Sequence, residues 1–179
     1  MLLTLLLACK PVTVGDDSTP TSDDSDPVVT DDSAEPGDWP RLYINEFMAS
    51  NETVLQDEGG AYPDWIELYN PNDEAVALDD WTITDDLAES DKHTLADLTI
   101  EAGGWLLLFA DDDEEEGPNH VGFNLGRSGE QIGLYDPDGG AVDEISYGEQ
   151  TTDVSAARSS DGANEWMIDE SPTPGAANE

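Results

Sequence analysis

The sequence predicts an all-β fold, a β-sandwich that follows a disordered acidic linker. Three observations lead to this prediction. After about residue 40, short runs of alternating apolar and polar residues recur, clusters of Gly, Pro, Asn and Asp separate them, and no helical period of useful length occurs. About seven or eight short strands of this kind are typical of a two-layered sandwich.

The strand signals can be placed in chain order. The best are LYINEFM (42–48), DWIELYN (64–70), WTITD (81–85), GWLLLFA (104–110), EQIGLY (130–135) and AVDEISY (141–147), with weaker ones near 75–78 and 163–168. DPDGG (136–140) joins two alternating runs and predicts a hairpin, in which glycine supplies the positive φ. The segment 171–175 contains two prolines and is expected to run along a sheet edge. The alternation predicts these inward-facing residues: Ile44, Ile66, Leu68, Ile83, Leu106, Leu108, Ile132, Leu134, Val142 and Ile145.

The first nine residues, MLLTLLLAC, predict a lipoprotein-type signal segment. The apolar run is much shorter than the about 20 residues that span a bilayer, but it suits the end of a secretory signal. Leu6 to Cys9 resembles a bacterial lipobox, which implies cleavage before Cys9 and lipidation of its thiol. Because Lys10 follows the cysteine, the same resemblance implies a bacterial cell envelope location, at the outer membrane or cell surface. The alternative is an apolar N-terminus with an unmodified cysteine.

Residues 10–40 predict a disordered linker. Between residues 11 and 38 there is no aromatic and no basic residue, and Asp, Pro, Ser and Thr dominate. Such a segment cannot bury enough apolar surface to offset the entropy lost on ordering, and its like charges extend it. We therefore expect a stalk that carries a folded domain, residues 41–178, away from a membrane.

The charge balance limits the partners. Five Lys and Arg residues stand against 43 Asp and Glu residues, which gives a net charge of −38. Such a surface repels nucleic acid, whose phosphates require cations opposite them, and it attracts divalent cations or basic partners. The alternative is that the charge serves solubility in salty surroundings. The single cysteine excludes a disulfide within the chain.

Catalysis is not predicted. No G-x-S-x-G turn, P-loop or dinucleotide fingerprint occurs, and the numerous carboxylates single out no pair. His93 and His120 lie in loop-like sequence, where hydrogen bonding within a loop is the expected role. We therefore predict that the protein is not an enzyme.

A metal site is the better chemical candidate. Calcium prefers carboxylate and carbonyl oxygens, and two acidic loops, 85–91 and 111–117, offer several. If one of them binds Ca²⁺, we favour 111–117, with Asp111, Asp113 and Glu115 as the ligands. The alternative is a solvated acidic loop and no cofactor.

The second face of strand 64–70 is the candidate binding surface. Trp65, Glu67 and Tyr69 share that face, and Trp105 lies on a run that is apolar on both of its faces. We expect residues 86–100 to cover half of this aromatic surface, with Glu67 reaching water or a backbone donor at its rim, because a buried carboxylate without partners is costly. An exposed remainder would bind a protein or a glycan.

The order of the strand signals resembles that of a known family. The stretches that carry the resemblance are INEFMASN (44–51), DWIELYNPNDEAVALDDWTITDD (64–86), IEAGGWLLLFADD (100–112), HVGFNLGRSGEQIGLYDPDGGAVDEISYG (120–148) and SPTPGAAN (171–178). Together they are similar to the lamin tail domain in its bacterial form, which implies an immunoglobulin-like sandwich. The family has no agreed catalytic set, so the resemblance implies no active-site residues.

These observations lead to one functional expectation with two alternatives. We expect a non-enzymatic, lipid-anchored surface protein that displays a binding or structural module to an unknown protein or glycan. The first alternative is a Ca²⁺-stabilised adhesion module. The second is an accessory domain of a secreted hydrolase system.

Overall fold

The computed structural model describes residues 38–178, and this range contains twelve strands joined by turns and loops, with no helix. Cys9 and residues 10–37 of the predicted linker lie outside the described residues. In chain order the strands are β1 (Tyr43–Met48), β2 (Asp64–Tyr69), β3 (Val76–Ala77), β4 (Thr82–Thr84), β5 (His93–Thr94), β6 (Thr99–Ile100), β7 (Trp105–Ala110), β8 (His120–Val121), β9 (Glu130–Tyr135), β10 (Ala141–Tyr147), β11 (Ser155–Arg158) and β12 (Trp166–Asp169). Within this range no helix is long and apolar enough to cross a bilayer.

Two main sheets form the layers of an immunoglobulin-like β-sandwich, as the sequence predicts. The larger sheet has the strand order β12-β11-β1-β2-β7-β8, and the smaller has the order β10-β9-β4-β5. A two-stranded sheet, β3-β6, accompanies them. Every pair is antiparallel except β7 with β8.

The hydrophobic core lies between the two main sheets and confirms the predicted inward-facing residues. Seven of the ten are fully buried, namely Ile44, Ile66, Leu68, Ile83, Leu108, Ile132 and Leu134. The other three, Leu106, Val142 and Ile145, are partly buried and pack against the same core. Trp81, at the start of the third predicted run, is also buried there and contributes a large apolar area.

The predicted hairpin between β9 and β10 is confirmed. The amide of Gly139 donates to the carbonyl of Asp136 at 2.9 Å, and Gly139 has a φ of 80°. The Asp136 carboxylate accepts from the amides of Asp138 and Gly140. An aspartate that bonds the backbone ahead of it, followed by glycine with positive φ, stabilises a tight reversal of the chain.

A β-bulge at Asn45 changes the alternation of β1. Ile44 pairs with Leu68, and Glu46 pairs with Glu67. Asn45 is therefore an extra residue in β1 with no partner of its own in β2. The extra residue reverses which side chains face the core. Ile44 therefore faces inward and Glu46 outward, which strict alternation along INEF would not give.

Two parts of the C-terminal region differ from expectation. β11, with the sequence SAAR, lies between β1 and β12, although its residues have weak strand propensity. The segment 171–175 does not run along a sheet edge as expected, because its amides bond carboxylates on the outer face of β1 and β2. The edge strands of the larger sheet are β12 and β8 instead.

Candidate functional site

The outer face of β2, predicted to bind a partner, is largely buried. Trp65 is fully buried against Met48 and Phe109, and Val54 and Leu55 of the preceding loop pack over it. The expectation that residues 86–100 would cover this face is therefore wrong for Trp65. The alternation of β2 is nevertheless as predicted, since its two faces contribute to two separate apolar clusters.

Glu67 is also fully buried, beneath residues 171–178, which we call the C-terminal clasp. The Gly175 amide donates to Glu67 Oε2 at 2.6 Å, and Asn45 Nδ2 donates to Glu67 Oε1 at 3.0 Å. Glu46, the residue opposite, accepts from the amide of Thr173 at 3.2 Å. Its carboxylate also accepts from the Ser155 hydroxyl. The expected backbone donor to Glu67 is thus present in Gly175, but the expected rim position is wrong, because Glu67 is fully buried. Gly175 and Asn45 supply the donors to Glu67, and Thr173 and Ser155 supply those to Glu46.

Burial sets the proton affinity of these carboxylates. It raises the pKa of Glu67 to about 7, against the lowering effect of the hydrogen bonds from Asn45 and Gly175. It also raises the pKa of Glu46 and, on the same strand as Glu67, that of Asp64 to about 6. A carboxylate held away from water favours its neutral form, and the charge of the facing Glu46 raises the pKa of Glu67 further.

Tyr69 and Trp105 are the partly exposed members of the predicted binding set. They lie opposite each other on β2 and β7, and their rings stack with centroids 5.9 Å apart. Their role in binding stays a prediction. For Trp65 and Glu67, burial removes the exposure on which that prediction depended.

A groove at the open side of the sandwich presents the most exposed apolar residues. β12 and β10 are edge strands of the two sheets, and they border a groove of about 220 Å³. Ile168 on β12 is 62% exposed and Met167 is 45% exposed. The groove wall continues inward to Ile145 and Trp166, which pack against the core. Sequence analysis assigned only a weak strand to this region and no site.

A second cluster lies where β7 ends and β8 begins. Asp111, Glu116 and His120 each offer one ligand atom, and these atoms all lie within 4.8 Å of one another. Nδ1 of His120 is 2.8 Å from Asp111 Oδ2, and Nε2 is 3.4 Å from Glu58 Oε2. Burial lowers the pKa of His120, but Asp111 and Glu58 outweigh that effect, and the net pKa is raised.

The predicted calcium ligands are only partly brought together. Asp111 belongs to the cluster, whereas Asp113 and Glu115 are exposed and lie outside it. Glu116 and His120 take their places. A pattern of alternate acidic residues could not identify them, because the chain turns at 113–116, where the Glu116 amide donates to the Asp113 carbonyl.

The histidines have hydrogen-bonding roles, as expected from the sequence. Nδ1 of His93 accepts from the Gly122 amide at 3.1 Å, and His120 bonds the two carboxylates described above. Within residues 38–178, no Ser or Thr hydroxyl bonds either ring. The Asp111–His120 pair thus has no serine or threonine placed as the nucleophile of a triad.

The two packed sheets, whose strands are antiparallel except for β7 and β8, define an immunoglobulin-like module. A family model described as Lamin Tail Domain matches residues 37–149, which is more than half of the chain. The chain therefore belongs to the lamin tail domain family. β11, β12 and the C-terminal clasp lie beyond the matched residues. No match was found among curated proteins or among solved structures.

Proposed function

We propose that this chain is a non-enzymatic binding module, held on a bacterial cell envelope, whose partner is an extended basic segment of another protein. The observation that carries the proposal is the outer edge of β12, which no further strand pairs with among residues 38–178 and which lies beside an apolar groove. Unpaired amides and carbonyls along an edge can accept a further strand, and adjacent pockets can select its side chains. Ile168 and Met167 supply apolar contacts on the two faces of that strand.

Charge favours a basic partner at this edge. Exposed Glu165 and Glu170 flank β12 on either side. Arg158, the basic residue nearest in the sheet, is buried and bonded to Asp143 and to backbone carbonyls. A cationic segment would therefore meet a rim of carboxylates, which speeds association and excludes acidic competitors.

Peptide binding to the full chain tests the recognition step. A short peptide in which Lys and Val alternate should bind, as measured by fluorescence anisotropy, and its Glu–Val counterpart should not. A version with alternate backbone amides methylated should lose affinity, because methylation removes the donors that pair with an edge. Equal binding of the methylated or the acidic peptide would contradict recognition by strand addition.

Two variants of β12 serve as a matched pair. Ile168→Asp places a charge at the groove and should abolish peptide binding. Met167→Asp adds the same charge on the opposite face of the strand, and it should weaken binding less. Both residues are exposed, so neither change should unfold the sandwich.

The envelope location rests on the lipobox-like Leu6 to Cys9, followed by the long acidic stretch. Cells that express the chain should incorporate labelled palmitate into it, and Cys9→Ser should abolish both the label and the membrane association. Globomycin should block maturation of the unsubstituted chain. Label retained after Cys9→Ser would remove the anchor from the proposal and leave the binding module unaffected.

A further inference from the structure

We propose that Asp111, Glu116 and one ring nitrogen of His120 bind a divalent transition-metal ion of the Zn²⁺ type, at the junction of β7 and β8. The donor set is mixed, with one nitrogen and two carboxylate groups, and imidazole is a ligand that such ions prefer. Calcium, by contrast, is bound by oxygen ligands. The site is independent of the groove proposed above for peptide binding.

The positions of the three donors suit a small ion. Bonds of about 2.0–2.2 Å at tetrahedral angles separate donor atoms by roughly 3.3 Å. Asp111 Oδ2 and His120 Nδ1 are 2.8 Å apart, so an ion between them requires an opening of about half an ångström. Glu116 is exposed and its ligand atom lies within 4.8 Å of the other two, so its side chain can close onto the ion.

Burial and packing fix the position of the His120 ring, as is typical of a metal ligand. It is 1% exposed, and its ring packs against Phe109 with centroids 5.1 Å apart. Glu58 Oε2 faces Nε2, while Asp111 faces Nδ1. An ion on the Asp111 side would leave the Nε2 proton directed toward Glu58, and a carboxylate in that position orients a metal-binding histidine.

The charge around the cluster also favours a cation. Among the described residues, the ion pairs of Lys and Arg go to Asp85 and Asp143. Asp111 and Glu58 pair with His120 instead, so two carboxylates share one imidazole, with Glu116 close by. A divalent ion would compensate the excess negative charge that the single imidazole cannot.

Calorimetric titration of the metal-free full chain with Zn²⁺ alone tests the proposal. We expect one dominant site near neutral pH. Glu116→Gln should weaken it by about tenfold or more, because even the removal of a group that only supports a ligand typically costs about 10–100-fold. The matched control is Glu115→Gln, which removes the same charge from the adjacent exposed residue and should change the affinity by less than about twofold. Equal losses in the two variants would show diffuse attraction to the acidic loop and overturn the proposal.

Proton and nitrogen NMR of the imidazoles gives a second readout, because the chain has only two histidines. Zn²⁺ should shift the His120 resonances and leave those of His93 nearly unchanged. Shifts confined to His93, or no imidazole shift at saturation, would overturn the proposal. So would Ca²⁺ binding of equal strength that survives His120→Gln, since that result would indicate a site made of oxygens alone.

Discussion

Glu46 and Glu67 lie opposite each other on β1 and β2, and both are fully buried. Two facing carboxylates would destabilise the sheet if nothing bonded them, because an ionised group loses its hydration on burial. Donors from the C-terminal clasp, from Asn45 and from Ser155 replace that hydration. The pair therefore anchors the C-terminus to the first two strands of the sandwich.

This pair predicts an unusual dependence of stability on pH. The folded pKa of Glu67 is about 7 and that of Asp64 about 6, each above its unfolded value. The folded chain then binds more protons than the unfolded chain between the unfolded and folded pKa values, so the free energy of unfolding falls as pH rises from about 4 to 7 and levels off above that. The contribution from Glu67 is about 3 kcal/mol. Urea unfolding at intervals across this range measures the slope.

Glu67→Gln isolates the contribution of Glu67 to that slope. The variant cannot ionise at this position, so its stability should fall less steeply with pH, with the remainder due to Asp64 and Glu46. Glu74→Gln, at an exposed position, serves as the control and should leave the slope unchanged. An unaltered slope in Glu67→Gln would contradict the assignment.

The stability of the C-terminal clasp should depend on Asn178. Asn178 Nδ2 donates to the carbonyls of Asn45 and Arg158, at 3.2 and 2.9 Å. Asn178→Ala should lower the free energy of unfolding by about 1–3 kcal/mol, because it leaves a buried carbonyl unpaired. It should also accelerate hydrogen exchange at the Gly175 amide. Ser171→Ala, at an exposed position of the same segment, should do neither, and equal effects of the two substitutions would contradict this role for Asn178.

Alanine should destabilise the domain at one of two glycines near the start of β9 and the end of β10, and have little effect at the other. Gly129 has a φ of 110°, and a Cβ there would lie 2.8 Å from the carbonyl oxygen of Tyr147. Gly129→Ala should therefore destabilise the domain by about 1–3 kcal/mol in thermal or chemical unfolding. At Gly148 a Cβ would meet nothing within 4 Å, and Gly148→Ala should change stability by less than about 0.5 kcal/mol. A small effect at Gly129 would mean that the β9–β10 pair can shift at little cost.

Truncation of Trp65 should damage the fold rather than a binding surface. The residue is fully buried against Met48 and Phe109, so Trp65→Ala should cost about 3–5 kcal/mol. Trp105→Ala should cost less, because Trp105 is partly exposed. Denaturant unfolding of both variants makes the comparison. Equal costs would show that the loop over Trp65 does not shield it in solution.

The sequence was informative wherever local chemistry decides the structure. Alternation in β2 predicted which of its residues would face the core, and DPDGG predicted the hairpin, because each depends on neighbours in the chain. The order of the strand signals was sufficient to indicate the family. These features follow from side-chain periodicity and from backbone preference, both of which are visible in a short stretch of sequence.

Other features depend on contacts between distant residues. The bulge at Asn45 cannot be derived from INEF alone, because the register of β1 depends on its pairing with β2. β11 was missed because its alanines favour a strand only when β1 and β12 flank them. Glu116, and not Glu115, lies near His120, because a turn at 113–116 brings it there, and the pattern of acidic residues does not predict that turn. A hydrophilic C-terminus rich in proline gave no sign that it would cover two buried glutamates.

The clasp also has a consequence for the order in which the molecule can assemble. Thr173 and Gly175 lie 127 and 108 positions after the glutamates to which they donate. During synthesis, both acidic side chains leave the ribosome long before the amides that solvate them in the finished protein. A chain that stops before residue 171 must keep Glu46 and Glu67 open to water or protonate them, so the burial of these two side chains waits for the synthesis of residues 171–178.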